Sequence, residues 1–234
     1  MDTEDEKIQN AVKQTEILRP PKQHLSTFGT TNVYYYLVTE PAYSEITPVT
    51  AETVVREGKV IAERPRIVTP FYLSHLEGFS SDARKYFEAL IREHGPNAPG
   101  LFYTYKNEPK ELNIVSDSLL SVVDKLNEII DKRGDALSAI IKGVDELWDV
   151  SILKFIYEIT KSSISNNLMQ MGARGLLNVD ASGVPAEVRM RIEGLFRLVE
   201  RGELEPKALK EELDRWGLFE LYEDRFLSIF KRGG

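Results

Sequence analysis

Two hydrophobic periods run along this chain, one near two residues and one near 3.6, and the first gives way to the second near Ser116. Ahead of that point, Asn32-Val33-Tyr34-Tyr35-Tyr36-Leu37-Val38 is dense in β-branched and aromatic residues and stops at Glu40-Pro41. It predicts a strand over 31–39 that is apolar on both faces. Residues 53–56 and 59–63 flank Glu57-Gly58, where glycine suits a tight turn, and predict a hairpin. Its second strand is expected to run on through Arg64 towards Val68 as an edge or bulge, because Pro65 cannot donate to a ladder. A second hairpin is expected from 101–105 and 112–115 around the turn-rich Asn107-Glu108-Pro109-Lys110. Between the two hairpins the pattern predicts a helix over 81–94, capped by Ser80 or Ser81 and ended by Gly95-Pro96. Residues 4–18 carry a short helical pattern that Arg19-Pro20-Pro21 stops.

After Ser116 the helical period persists. Leu119, Val123, Leu126 and Ile130 predict a core-facing helix over 117–132 that breaks at Arg133-Gly134. Asp135 is then placed to cap a second helix, whose apolar positions from Leu137 to Ile159 hold phase. Unbroken to Lys161 it would be about 40 Å long, with a bend available at Gly143 or at Asp149-Val150-Ser151. Residues 162–183, interrupted by Gly172, Gly175 and Asp180-Ala181-Ser182-Gly183, read as a hinge or linker. Residues 184–234 predict three helices, with stripes at Val188, Ile192 and Phe196, at Leu209, Leu213 and Trp216, and at Phe219, Tyr222, Phe226 and Phe230.

The pattern therefore predicts an α+β fold: an N-terminal antiparallel sheet of about five strands with packed helices, followed by an all-helical C-terminal half. The expected divisions are an arm with a short helix over 1–30, a sheet domain with one inserted helix over 31–116, a helical spine over 117–171, and a three-helix subdomain over 184–234.

Composition narrows the chemistry. The 234 residues carry 30 basic and 37 acidic side chains, a formal charge of −7, which builds no general attraction to polyphosphate or anionic lipid. There is no cysteine, so disulfides, thiolate metal sites and cysteine nucleophiles are excluded. The start, Met1-Asp2-Thr3-Glu4-Asp5-Glu6-Lys7, lacks the basic-then-apolar order of a secretory signal, and no apolar run approaches membrane-spanning length. These features lead to the expectation of a soluble cytoplasmic protein with no membrane and no nucleic-acid partner.

Candidate sites are few. No glycine-rich phosphate loop, Gly-x-Ser-x-Gly elbow or His-Glu-x-x-His pair is present, so no catalytic residue, metal ligand or cofactor is assigned. Asp145, Glu146 and Asp149, and likewise Asp124, Glu128 and Asp131, read as solvated helix faces. Arg189, Arg191, Arg197 and Arg201 are interleaved with glutamates and read as local ion pairing, not as an RNA-binding strip. Tyr34, Tyr35 and Tyr36 read as packing beneath helices. His24 and His94 read as structural. Two candidates remain. Arg64 and Arg66 share a strand face and, with Tyr72 and His75 in the loop that follows, would suit an anionic ligand. Phe219, Tyr222, Phe226 and Phe230 make the last helix aromatic enough either to close a core or to present an anchor patch to a partner, including a second copy of the chain. The leading expectation is a non-catalytic interaction or assembly module acting through its helical C-terminal half. The alternative is a small-anion-binding protein or enzyme centred on the arginines.

Overall fold

The computed structural model describes residues 3–45, 51–69, 71–72, 91–93, 95, 100–181 and 184–231. The chain divides into two compact units, Met1–Pro65 with Tyr103–Asn167, and Arg66–Phe102 with Leu168–Gly234.

The first unit is built on a five-stranded sheet. In chain order its elements are helix α1 (Thr3–Gln14), strands β1 (Glu16–Arg19), β2 (Thr31–Thr39) and β3 (Thr53–Ala62), then β6 (Tyr105–Val115), helix α2 (Leu119–Arg133), strand β7 (Ser138–Lys142) and helix α3 (Trp148–Ala173), which belongs to this unit as far as Asn167. Strands β4 (Arg66–Val68) and β5 (Gly100–Phe102) belong to the second unit, where they pair with each other. The sheet order is β1-β7-β2-β3-β6. It is mixed and not purely antiparallel: β7 runs parallel to β2, with Tyr36 opposite Ile140, and antiparallel to β1.

The pairing of β2 with β7 follows from apolarity on both faces. Val33, Tyr35, Leu37, Ala139 and Ile141 lie in a core shared with Ile152, Phe155 and Ile159 of α3. Tyr36, Val38, Val55 and Ile140 join Val122, Leu126 and Ile130 of α2 on the other side. A sheet covered on both faces needs strands that read as continuous apolar runs, and Ser138-Ala139-Ile140-Ile141 is such a run.

That run corrects the long helix expected from Asp135. The Asp135 carboxylate does not cap a helix; it accepts from the Leu137 N–H at 2.9 Å and the Ser138 hydroxyl at 2.7 Å, a local turn that starts β7. The helix begins only at Trp148 and continues to Ala173, through part of the stretch expected to be a linker. The chain between them needs Gly143, since a Cβ there would lie 2.8 Å from the Leu37 Cδ1 and from the Ser151 Cβ.

Three more expectations change. The stretch over 4–18 is not one helix: α1 stops at Gln14 and β1 follows, with the Lys154 amine donating to the Val12 and Thr15 carbonyls at the helix end. Glu57-Gly58 is not a turn, because β3 passes straight through it. Glycine stands there for close approach: a Cβ would lie 2.5 Å from the Cζ of buried Tyr35 and 2.9 Å from the Glu108 carbonyl oxygen. Asn107-Glu108-Pro109-Lys110 is likewise strand, paired with β3 as the sheet edge, with a bulge where Glu57 faces Glu111 and Gly58 faces Pro109. The helix expected over 81–94 lies outside the described residues except at 91–93. The helix expected over 117–132 is present as α2, with the Ser118 hydroxyl accepting from the Ser121 N–H at its start.

In the second unit, helices α4 (Ala186–Glu200), α5 (Pro206–Arg215) and α6 (Phe219–Lys231) follow the predicted periods. Val188, Ile192, Phe196, Leu209, Leu213 and Trp216 are buried together. No helix of the described residues is long and apolar enough to cross a membrane.

Candidate functional site

Arg64, Arg66, Tyr72 and His75 are not shown as one set. Arg64 lies in the exposed stretch that closes the first unit, and Arg66 opens the second. The Arg66 guanidinium lies over the Phe102 ring, 5.9 Å from its centroid, as β4 pairs with β5. His75 is outside the described residues, as is His94.

Tyr72 has other work. Its hydroxyl donates to the Glu212 Oε2 at 3.3 Å and its ring packs on Trp216 with centroids 4.8 Å apart. Burial raises its pKa and the Glu212 charge adds to the rise, so the phenol holds its proton to donate. The other oxygen of Glu212 accepts from Arg191 Nη2 at 2.7 Å and from the Trp216 indole N–H at 3.2 Å. Arg191 also faces Glu187 at 3.4 Å, one helical turn away. The interleaved charges of α4 are thus partly inward-facing, and Glu187 and Glu212 are both buried.

The C-terminal aromatics divide between core and surface. Phe226 is buried, and both Phe219 and Phe230 meet it edge-on with centroids 5.6 Å apart. Tyr222 packs on Phe196 at 5.6 Å and its hydroxyl accepts from Arg189. Phe230 is 58% exposed, and Leu227, three residues before it, is also exposed. Core closure therefore uses Phe219, Tyr222 and Phe226, and leaves Phe230 with Leu227 outside.

Residue patterns did not single out a cleft of the first unit. It lies beyond the carboxyl ends of the parallel strands β2 and β7, where ligands of open α/β sheets commonly sit, and has a volume of about 430 Å³. Glu16, Glu40, Lys142, Asp145 and Glu146 line it. The carboxylates outnumber the amine, so its field favours a cation over an anion. Among the described residues, no three His, Asp or Glu side chains converge as metal ligands.

Asp145 is fixed in the wall of this cleft. It is not on a solvated helix face. Its Oδ1 accepts from Arg56 Nη1 at 2.6 Å and from the Thr39 hydroxyl at 3.0 Å, and its Oδ2 from the Ala42 N–H at 3.2 Å. Burial alone would raise this carboxyl, but the Arg56, Ala42 and Thr39 donors outweigh it and hold the pKa below the ordinary value. Because the folded-state pKa is depressed, the interaction contributes fully above the unfolded value near ~3.9 and is lost as pH falls below it. Asp145→Asn should cost about 1–3 kcal/mol in urea unfolding at pH 7, and the gap to the unsubstituted protein should shrink by about pH 3. A gap of equal size at both pH values would contradict this account.

Compared with known proteins, the chain matches no family model, no curated protein and no solved structure.

Proposed function

We propose that the chain is a non-catalytic intracellular interaction module whose helical C-terminal unit supplies an anchor for a protein partner. The observation that carries this reading is Phe230, a large aromatic left 58% exposed on a regular helix while its edge-on neighbour Phe226 closes the core. Leu227 extends the exposed apolar surface on the same side of α6, and apolar side chains at i and i+3 are the spacing by which a helix docks into a groove on a partner. Arg225 is held by Glu193 at 2.7 Å, so the helix bearing the anchor is braced against α4. A braced anchor loses less conformational entropy on binding than a mobile one.

The test is affinity capture from the native lysate with the tagged chain and with its Leu227→Glu/Phe230→Glu variant, quantified by mass spectrometry. At least one protein should be held by the unsubstituted chain and depleted about tenfold or more by the variant, as expected for loss of a central apolar anchor. Far-UV circular dichroism should be unchanged and the melting temperature should fall only slightly, because Leu227 faces solvent and Phe230 gives up only its edge contact with Phe226. Equal capture by the two would overturn the reading.

A further inference from the structure

We infer that the β6 edge of the first unit pairs with the β6 edge of a second copy of this chain, forming an antiparallel, two-fold dimer. This goes beyond the proposed role of the C-terminal helices and rests on different residues.

Strand β6 spans Tyr105–Val115 and is the terminal strand of its sheet. Among the described residues nothing pairs with its outer edge. Such an edge offers a row of free backbone donors and acceptors, and proteins ordinarily guard it with charge, proline or bulges. The first half of β6 is guarded in all three ways: Lys106, Glu108, Lys110 and Glu111 bring charge, Pro109 cannot donate, and the bulge falls at Pro109–Glu111. The second half, Leu112-Asn113-Ile114-Val115, has no such guard, and Leu112 and Ile114 are 56% and 55% exposed.

Exposed apolar side chains occur on α3 as well. Leu112 and Ile114 oppose Arg56 and Val54, and the Arg56 guanidinium lies over the ring of Trp148, the first residue of α3. At the other end of β6 the Tyr105 and Thr160 hydroxyls meet. The helix therefore runs along β6 in the opposite sense. Leu153 and Tyr157 share the Thr160 face of the helix and are 64% and 63% exposed. The unguarded half of the edge and the first turns of the helix thus each carry exposed apolar side chains on the same side of the sheet.

The sequence of the edge favours a second copy as its occupant. In the antiparallel register centred on Asn113, Leu112 of each copy faces Ile114 of the other, Glu111 faces Val115, and Lys110 faces Ser116. Apolar side chains meet apolar ones twice and no like charges are opposed. Centring the pair on Glu111 or on Lys110 would set a charge against itself. The two-fold pairing also closes: the opposite sheet edge, β1, has only four residues, and its Arg19 is held by Asp131 and Asn127, so it offers no comparable surface for an open chain of copies.

The absence of cysteine makes the test direct. Asn113→Cys would place two sulfurs across the axis, where facing Cα atoms of an antiparallel pair lie about 4.5–5.5 Å apart, within disulfide range. Under mild oxidation this variant should run as a covalent dimer on non-reducing gels, while Lys106→Cys on the same strand should not. The unsubstituted chain should sediment at twice the chain mass across the micromolar range. Leu112→Lys/Ile114→Lys should sediment as a monomer with unchanged far-UV circular dichroism. The inference is overturned if the unsubstituted chain is monomeric, if Asn113→Cys cross-links no better than Lys106→Cys, or if dimers survive Leu112→Lys/Ile114→Lys. Dimers that dissolve with Phe230→Glu instead would overturn it while leaving the C-terminal anchor in place.

Discussion

Replacing Glu212 by leucine is expected to destabilise the helical unit by about 3–5 kcal/mol, because it removes one partner of a buried ion pair and leaves the other in place. Glu212 is 7% exposed and accepts from Arg191, Trp216 and Tyr72 at once. Without it the indole N–H and the phenol lose their acceptor, and the Arg191 charge is left with Glu187 at 3.4 Å as its ion-pair partner. The companion variant Glu187→Gln/Arg191→Met/Glu212→Leu removes the three neighbouring charges together, so no buried charge loses its ion-pair partner and part of the loss should be recovered. Urea unfolding followed by far-UV circular dichroism gives both numbers and their coupling. A single-variant cost below about 1 kcal/mol would mean that the network does not hold α4 and α5 together.

A loss of similar size is expected at the centre of the first unit. Phe155 of α3 is 1% exposed and packs in the core with Tyr35, Leu37 and Ile141. Phe155→Ala deletes a large buried side chain in a place where two strands and a helix meet, and should cost about 3–5 kcal/mol. Lys161→Ala, on the exposed side of the same helix, should change stability by no more than about 0.5 kcal/mol. Equal effects at the two positions would show that the helix does not present the Phe155 face to the sheet.

Much of the fold was legible because local signals and tertiary burial agree. Strand β2 is found over the predicted 31–39, since residues 33 and 35–39 are buried whichever face they point to. Helix α2 and the three C-terminal helices also follow their periods, each having one covered side and one open side. The misreadings have a shared cause: a short apolar run or a single glycine has two physical meanings that sequence alone does not separate. Ala139-Ile140-Ile141 fits a buried helix turn as well as a buried strand, and only β1 and β2 on either side decide for the strand. Gly58 reads as a turn because turns need glycine, but it is required by the Tyr35 ring, which comes from a strand 23 residues earlier in the chain.

The candidate site was less legible than the fold. Asp145 and Arg56 are separated by 89 residues, so no spacing rule could join them, and the cleft that Asp145 lines lies at the ends of β2 and β7, whose parallel pairing the periodicity did not show. Tyr72 was expected to serve an anionic ligand, whereas its hydroxyl donates to Glu212, 140 residues away in the chain. The aromatic periodicity of α6 did show which side chains are available, and the structure divides them between closing a core and facing solvent.

The position of β7 has a consequence for how the chain is made. It is the last strand of the sheet to leave the ribosome, yet it occupies the slot between β1 and β2. Until residue 142 has emerged, β2, β3 and β6 can zip into an antiparallel ribbon, but β1 has no neighbour and the inner edge of β2 stands open. Synthesis therefore passes through a stage in which a strand with apolar residues on both faces offers an unpaired flank, the kind of surface that holding chaperones bind and that misassembly uses. Insertion of β7 closes that flank and recruits β1 in the same event, so the sheet gains its two final strands as one late, cooperative step.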